Sequence, residues 1–115
     1  LAYLRSEKED LEISYSLESL WDAIPKVVKA LQWSIEEKDD EAHRVKLKTK
    51  AGFMSYSSIL YLEAKSVDDK TTRMAINAET PVTTITSMAD FGRTRDRVEA
   101  FIIMLAKEME KKKRS

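Results

Sequence analysis

Apolar side chains recur along this chain in two rhythms, every second residue or every third and fourth, and the changes between them mark the elements. Leu11, Ile13 and Tyr15 alternate with Glu12, Ser14 and Ser16, the period of a half-buried strand. Residues Leu1 to Asp10 mix apolar and charged side chains without a clear period, and read as a tail or as an extension of that strand. Leu17, Leu20, Trp21, Ile24, Val27, Val28 and Leu31 then take helical steps. Ser16 stands where a hydroxyl can cap the first backbone N–H groups of that helix. Pro25 offers no N–H and crowds the preceding turn, so the pattern predicts a kink or a break between Ala23 and Lys26.

Alternation returns at Trp33, Ile35 and Glu37, set against Ser34, Glu36 and Lys38, and the acidic run Asp39-Asp40-Glu41 supplies a turn. It is cleanest from His43 onward, with His43, Val45, Leu47 and Thr49 on one face and Arg44, Lys46, Lys48 and Lys50 on the other. Ala51-Gly52 breaks this strand. Met54, Tyr56, Ser58, Leu60, Leu62 and Ala64 next share a face, and Asp68-Asp69-Lys70 makes a turn. Met74, Ile76 and Ala78 form a further inward row, and Pro81 is expected to end that strand. The threonine-rich Val82 to Ser87 could add a short sixth strand.

The chain closes on a helix expected from Thr94 to Lys113, where Val98, Phe101, Ile102, Leu105 and Met109 draw one apolar stripe over roughly five turns. Short turns between successive strands imply an antiparallel meander. The sum is α+β: β-α-β(4-5)-α, with a curved antiparallel sheet packed against a long carboxy-terminal helix. Residues 11–115 are expected to form one domain.

Composition narrows the function classes. The 20 basic and 20 acidic residues cancel, so whole-protein attraction to nucleic acid or anionic membrane is not expected. There is no cysteine, which excludes thiolate catalysis and thiolate metal sites and suits a cytoplasmic location. No run approaches a membrane-spanning segment of ~18 apolar residues. No metal, cofactor or catalytic motif is visible.

The polar candidates are few. His43, the sole histidine, could titrate near neutrality beside the acidic turn, but reads first as a histidine at the sheet rim. Arg44, Lys46, Lys48 and Lys50 fall on one sheet face at a spacing a polyanion could use; a solvated face paired with Glu63 or Glu79 is the simpler reading. Arg93, Arg95 and Arg97 near the start of the last helix suit either an anionic ligand or pairing with Asp90, Asp96 and Glu99, and pairing is the safer expectation. Lys111 to Arg114 complement the negative end of the helix dipole. Between sheet and last helix, the candidate lining is Trp21, Trp33, Met54, Tyr56, Leu60, Met74, Ile76, Phe101 and Leu105. Such side chains suit an adaptable apolar cavity or a filled core.

At Tyr15 to Ile24 the chain resembles the opening of START-like (SRPBCC) helix-grip domains, in which a first strand passes into Ser/Ala-x-Glu-x-aliphatic-Trp and a short helix. Ser16, Glu18, Leu20, Trp21 and Ile24 match, and Trp33 is similar to a second aromatic that follows. The related fold of TATA-binding-protein halves is similar in strand order. The resemblance implies a non-enzymatic domain holding a small apolar ligand or a protein partner between sheet and helix. As a second alternative it admits a cyclase-type enzyme working through His43, Tyr15, Tyr56 or Tyr61. A pure interaction or homodimerisation module using Ile59, Tyr61 and Phe53 is the remaining alternative.

Overall fold

The computed structural model describes residues 3–50, 57–82 and 93–114, with side chains over 7–50, 57–80 and 94–111. Its elements are β1 (Tyr3–Ile13), α1 (Leu17–Ala30), β2 (Ser34–Asp39), β3 (Arg44–Lys48), β4 (Ile59–Asp68), β5 (Thr71–Val82) and α2 (Arg93–Arg114). The five strands form one antiparallel sheet in the order β1-β5-β4-β3-β2. Strands two to five therefore run as a meander, and β1 docks beside the last of them. The first strand begins at Tyr3, so its backbone pairs along β5 from Tyr3 opposite Val82 to Ile13 opposite Thr72.

Side-chain alternation sends one face of this sheet inward. Val45, Leu47, Leu60, Leu62, Met74 and Ile76 are at most 3% exposed. The two helices cover that face: α1 contributes Leu20, Ile24 and Val27, and α2 contributes Val98, Phe101, Leu105 and Met109. The α2 row is the one the three-and-four spacing marks, with Ile102 half-buried at its margin. Burying apolar surface at about 25 cal/mol per Å² is what holds the helices to the sheet.

Local chemistry sets the ends of α1. Ser16 Oγ accepts from Ser19 N at 3.2 Å, the expected cap. At the other end Gln32 takes the left-handed backbone (φ 61°), Gln32 N donates to Lys29 O and Trp33 N donates to Val28 O. This is a Schellman closure, which favours glycine, here made with glutamine. It turns the chain so that Trp33 follows directly beneath the helices.

Several boundary expectations are corrected. Pro25 lies inside one unbroken helix rather than splitting it; its missing N–H removes a single rung, which burial of Ala23, Ile24, Val27 and Val28 outweighs. Glu37 does not share a face with Ile35, because a bulge between them resets the register and sets Glu37 opposite Lys46. Pro81 does not end β5, which runs to Val82 along β1. The β4 strand begins at Ile59, opposite Glu79, two residues short of the proline. The rest of the sixth-strand expectation, residues 83–87, lies outside the described residues.

Candidate functional site

The space between sheet and α2 changes character along its length. At one end it is filled. Leu60, Met74 and Phe101 are fully buried, Ile76 and Leu105 nearly so. Half-buried Trp33 lies almost parallel to the Phe101 ring, with centroids 6.2 Å apart and planes inclined by 13°. Trp21 is 8% exposed and packs from α1. Seven of the nine candidate lining residues thus meet in the hydrophobic core; Met54 and Tyr56 lie outside the described residues.

Towards the start of α2 the same inner face turns polar. Thr49 just after β3, Ser58 just before β4, Thr80 in β5 and Thr94 in the first turn of α2 are all at most 3% exposed. Their hydroxyls form a ladder. Ser58 N donates to Thr49 Oγ1 at 2.8 Å, Ser58 Oγ meets Thr80 Oγ1 at 2.5 Å, and Thr80 Oγ1 meets Thr94 Oγ1 at 2.8 Å. Arg97, one turn into α2, donates from Nη1 to Ser58 Oγ at 2.5 Å. A buried hydroxyl costs free energy unless it is bonded, and each of these is. The candidate set did not contain this cluster. Its sequence signal is that three successive inward rows end in Thr49, Ser58 and Thr80 at one level of the sheet, visible only once the strands are aligned.

The outer sheet face carries the basic file. Arg44 and Lys46 each oppose a β4 residue, Glu63 and Tyr61. Arg44 Nε reaches Glu63 Oε2 at 2.5 Å and Lys65 Nζ reaches its other oxygen at 3.4 Å. These cations, Arg44 first, hold the Glu63 carboxyl below the ordinary glutamate value. Lys46 Nζ lies 5.8 Å from the Tyr61 ring centroid. Lys48 is exposed at the end of β3, and Lys50 lies beyond the strand, so the file runs over three strand positions rather than four. A shallow hollow of about 740 Å³ crosses this face over Tyr61 and Asn77.

The turn between β2 and β3 is pinned to α1. Asp39 Oδ1 accepts from Glu41 N and Ala42 N, and Asp40 Oδ1 accepts from Trp21 Nε1 at 2.9 Å. The indole N–H, helped by Lys38, holds Asp40 below the ordinary aspartate value. His43 (φ 52°) meets the Trp21 ring edge-on at 5.1 Å. A smaller hollow of about 450 Å³ lies beside it, next to Trp21 and Asp68. Among the described residues no group of histidine and carboxylate side chains is arranged to hold a metal ion, and no helix is long and apolar enough to cross a membrane.

A sheet that folds over one long helix, with a short helix between its first two strands, is also what solved structures share with this chain. A norcoclaurine synthase point mutant from Thalictrum flavum, in complex with a transition-state analogue, superposes with a TM-score of 0.72 over 98% of both chains at 10% identity. The fold is the START-like helix grip. Ara h 8.0201 shares it with a TM-score of 0.69, 5% identity and coverage of 94% and 99% of the two chains. A solution structure from Thermobifida fusca gives 0.63 at 13% identity, covering 92% and 93%. No family model and no curated protein matches by sequence. At such identities the helix-grip likeness concerns architecture, not the residues of a site.

Proposed function

We propose that this helix-grip domain is a non-enzymatic binding module for a small ligand with an apolar body and one polar end. The ligand lies between the sheet and α2, beside the start of that helix. The observation that carries this reading is the change in chemistry along the inner face. Beyond the Trp33–Phe101 stack the face is solid hydrocarbon, while its other end gathers four buried hydroxyls and a guanidinium from three strand ends and α2. A core needing only stability has no use for that polarity, since apolar groups of the same shape fold as well or better. A binding site of mostly apolar walls with a few convergent polar groups does.

Binding without catalysis is favoured because, among the described residues, the candidate acid–base groups are dispersed. His43 packs on Trp21 in the β2–β3 turn, Tyr61 lies on the outer face, and Tyr15 precedes α1, where its carbonyl accepts from Thr72 Oγ1 at 2.8 Å. None of the three belongs to the hydroxyl ladder.

The test is native mass spectrometry of the purified chain, followed by titration with the apolar reporter 1-anilinonaphthalene-8-sulfonate. A small-molecule adduct released on denaturation, or saturable dye uptake that quenches tryptophan emission, is expected. Bare-chain mass together with no saturable uptake by the folded protein overturns the proposal.

A further inference from the structure

We propose that the hollow on the outer sheet face is a second binding site, for a short neutral saccharide. It lies across the sheet from the helices and stands independently of the binding reading above. Strand pairing builds it. Lys8 of β1, Asn77 of β5, Tyr61 of β4 and Lys46 of β3 fall opposite one another in a single row across four strands. Two residues along each strand, Asp10, Ala75, Glu63 and Arg44 make the neighbouring row. Ala75 is exposed but ends at its methyl group, so the floor dips there between longer side chains. The hollow over this floor measures about 740 Å³.

Two features of the floor call for a ligand. Asn77 Oδ1 is buried and accepts no hydrogen bond from any described residue. A buried acceptor in that state costs free energy, which an incoming donor relieves. No bond to the fold fixes this oxygen, so the amide can turn it towards the hollow. Beside it, Tyr61 leaves 41% of its surface exposed, although its ring is mainly apolar. Lys46 Nζ stands over the ring, 5.8 Å from its centroid. A ring has two sides, and one cation answers only one of them.

Charge decides the class of ligand. Arg44 Nε is bonded to Glu63 Oε2 at 2.5 Å, and Lys8 and Asp10 stand two residues apart on the same face of β1. The signs are therefore mixed over the whole floor. A polyanion would meet Asp10 and Glu63, and a polycation would meet Lys8, Lys46 and Arg44. A hydrocarbon would strip water from all of them and return no bond. A sugar hydroxyl both donates and accepts, so it can answer a carboxylate, an ammonium group or the Asn77 oxygen. The C–H groups on one face of a sugar ring carry slight positive charge, which suits the negative face of the Tyr61 ring.

Isotope-labelled chain is titrated with cellotriose, maltotriose and N,N′-diacetylchitobiose, and with inositol hexakisphosphate and spermine as charged counterparts, all read by heteronuclear NMR. At least one saccharide is expected to give saturable shifts centred on Ala75, Asn77 and Tyr61, with millimolar affinity. Tyr61→Ala should weaken that binding roughly fivefold and Tyr61→Phe should keep it, while Asn77→Ala should weaken it by a similar factor. If Asn77→Ala does not fold by circular dichroism, the two Tyr61 variants decide alone. No saturable shift with any of the three saccharides overturns the site, as does unchanged affinity in Tyr61→Ala. Tighter binding of inositol hexakisphosphate or spermine at the same residues overturns the neutral-ligand assignment. None of these outcomes bears on dye uptake between sheet and α2, so the two readings fail separately.

Discussion

Replacing Thr80 by valine keeps the side chain's shape and removes one hydroxyl from the middle of the buried ladder. Thr80 is fully buried, and its Oγ1 bonds both Ser58 Oγ at 2.5 Å and Thr94 Oγ1 at 2.8 Å. Two buried hydrogen bonds are lost, each contributing about 1 kcal/mol net. The loss is partly offset because valine buries a methyl in place of the hydroxyl, and because Ser58 keeps its bond from Arg97. Thr80→Val should therefore destabilise by about 1–2 kcal/mol. Unfolding entropy near 2.1 cal/mol/K per residue makes 1 kcal/mol worth roughly 4 °C in a chain of this size, so the midpoint should fall by roughly 4–8 °C.

The sharper reading is a double-mutant cycle with Ser58→Ala, followed by urea unfolding and circular dichroism. Both single substitutions remove the same Ser58–Thr80 bond. The double variant should then be more stable than the sum of the singles implies, by about 1 kcal/mol. Additivity within about 0.3 kcal/mol would show that the two hydroxyls do not share a bond.

Two further outcomes follow from the packing and the turn. Phe101→Ala should cost about 3–5 kcal/mol, because a fully buried ring stacked on Trp33 leaves a cavity, whereas Ile103→Ala, 55% exposed two residues on, should stay within about 0.5 kcal/mol; comparable losses in urea melts would mean α2 turns another row to the sheet. Asp40 is held below its ordinary 3.8 by the Trp21 indole, so its contribution is complete above that value and fades as the pH falls through the lower folded-state value. Asp40→Asn should accordingly flatten the loss of thermal stability between neutral pH and pH 3, and an unchanged profile would assign the acid sensitivity to other carboxylates.

Where burial repeats at a fixed period, the sequence carried the architecture. The α2 row Val98, Phe101, Leu105 and Met109 and the inward rows of β3, β4 and β5 are both periodic and buried. Each is long enough for one phase to dominate. The failures have local causes. A bulge after Ile35 moves Glu37 to the other face without changing composition, and Pro25 is tolerated because tertiary packing, absent from a propensity argument, outweighs one missing rung. The Schellman closure at Gln32 was hidden because glutamine stands where glycine is usual.

The site was less legible than the fold for a related reason. Size alone marks large apolar residues as candidate lining, and the structure shows most of them in the core. Thr49, Ser58, Thr80 and Thr94 look like ordinary polar punctuation in one dimension. They become a cluster only when antiparallel pairing sets Thr49 beside Ser58 and Ser58 beside Thr80. In the sequence Arg97 stands with Arg93 and Arg95 as a partner for an anionic ligand or, more safely, for Asp90, Asp96 and Glu99, and nothing in its spacing tells it apart from them.

The two rims of the sheet bear on how copies of this domain meet. Every residue of β2 is exposed, and its bulge is flanked by Glu36, Glu37, Lys38 and Asp39; β1 carries Glu7, Lys8, Glu9, Asp10 and Glu12 along the opposite border. A neighbouring chain adding itself as a sixth strand would set dense charge against charge and meet a ladder that the bulge has put out of step, the means by which natural sheets avoid sticking edge to edge. Among the described residues, a five-stranded wall with both borders charged in this way is kept from growing sideways, so crowding in concentrated solution would press faces together before it joined borders.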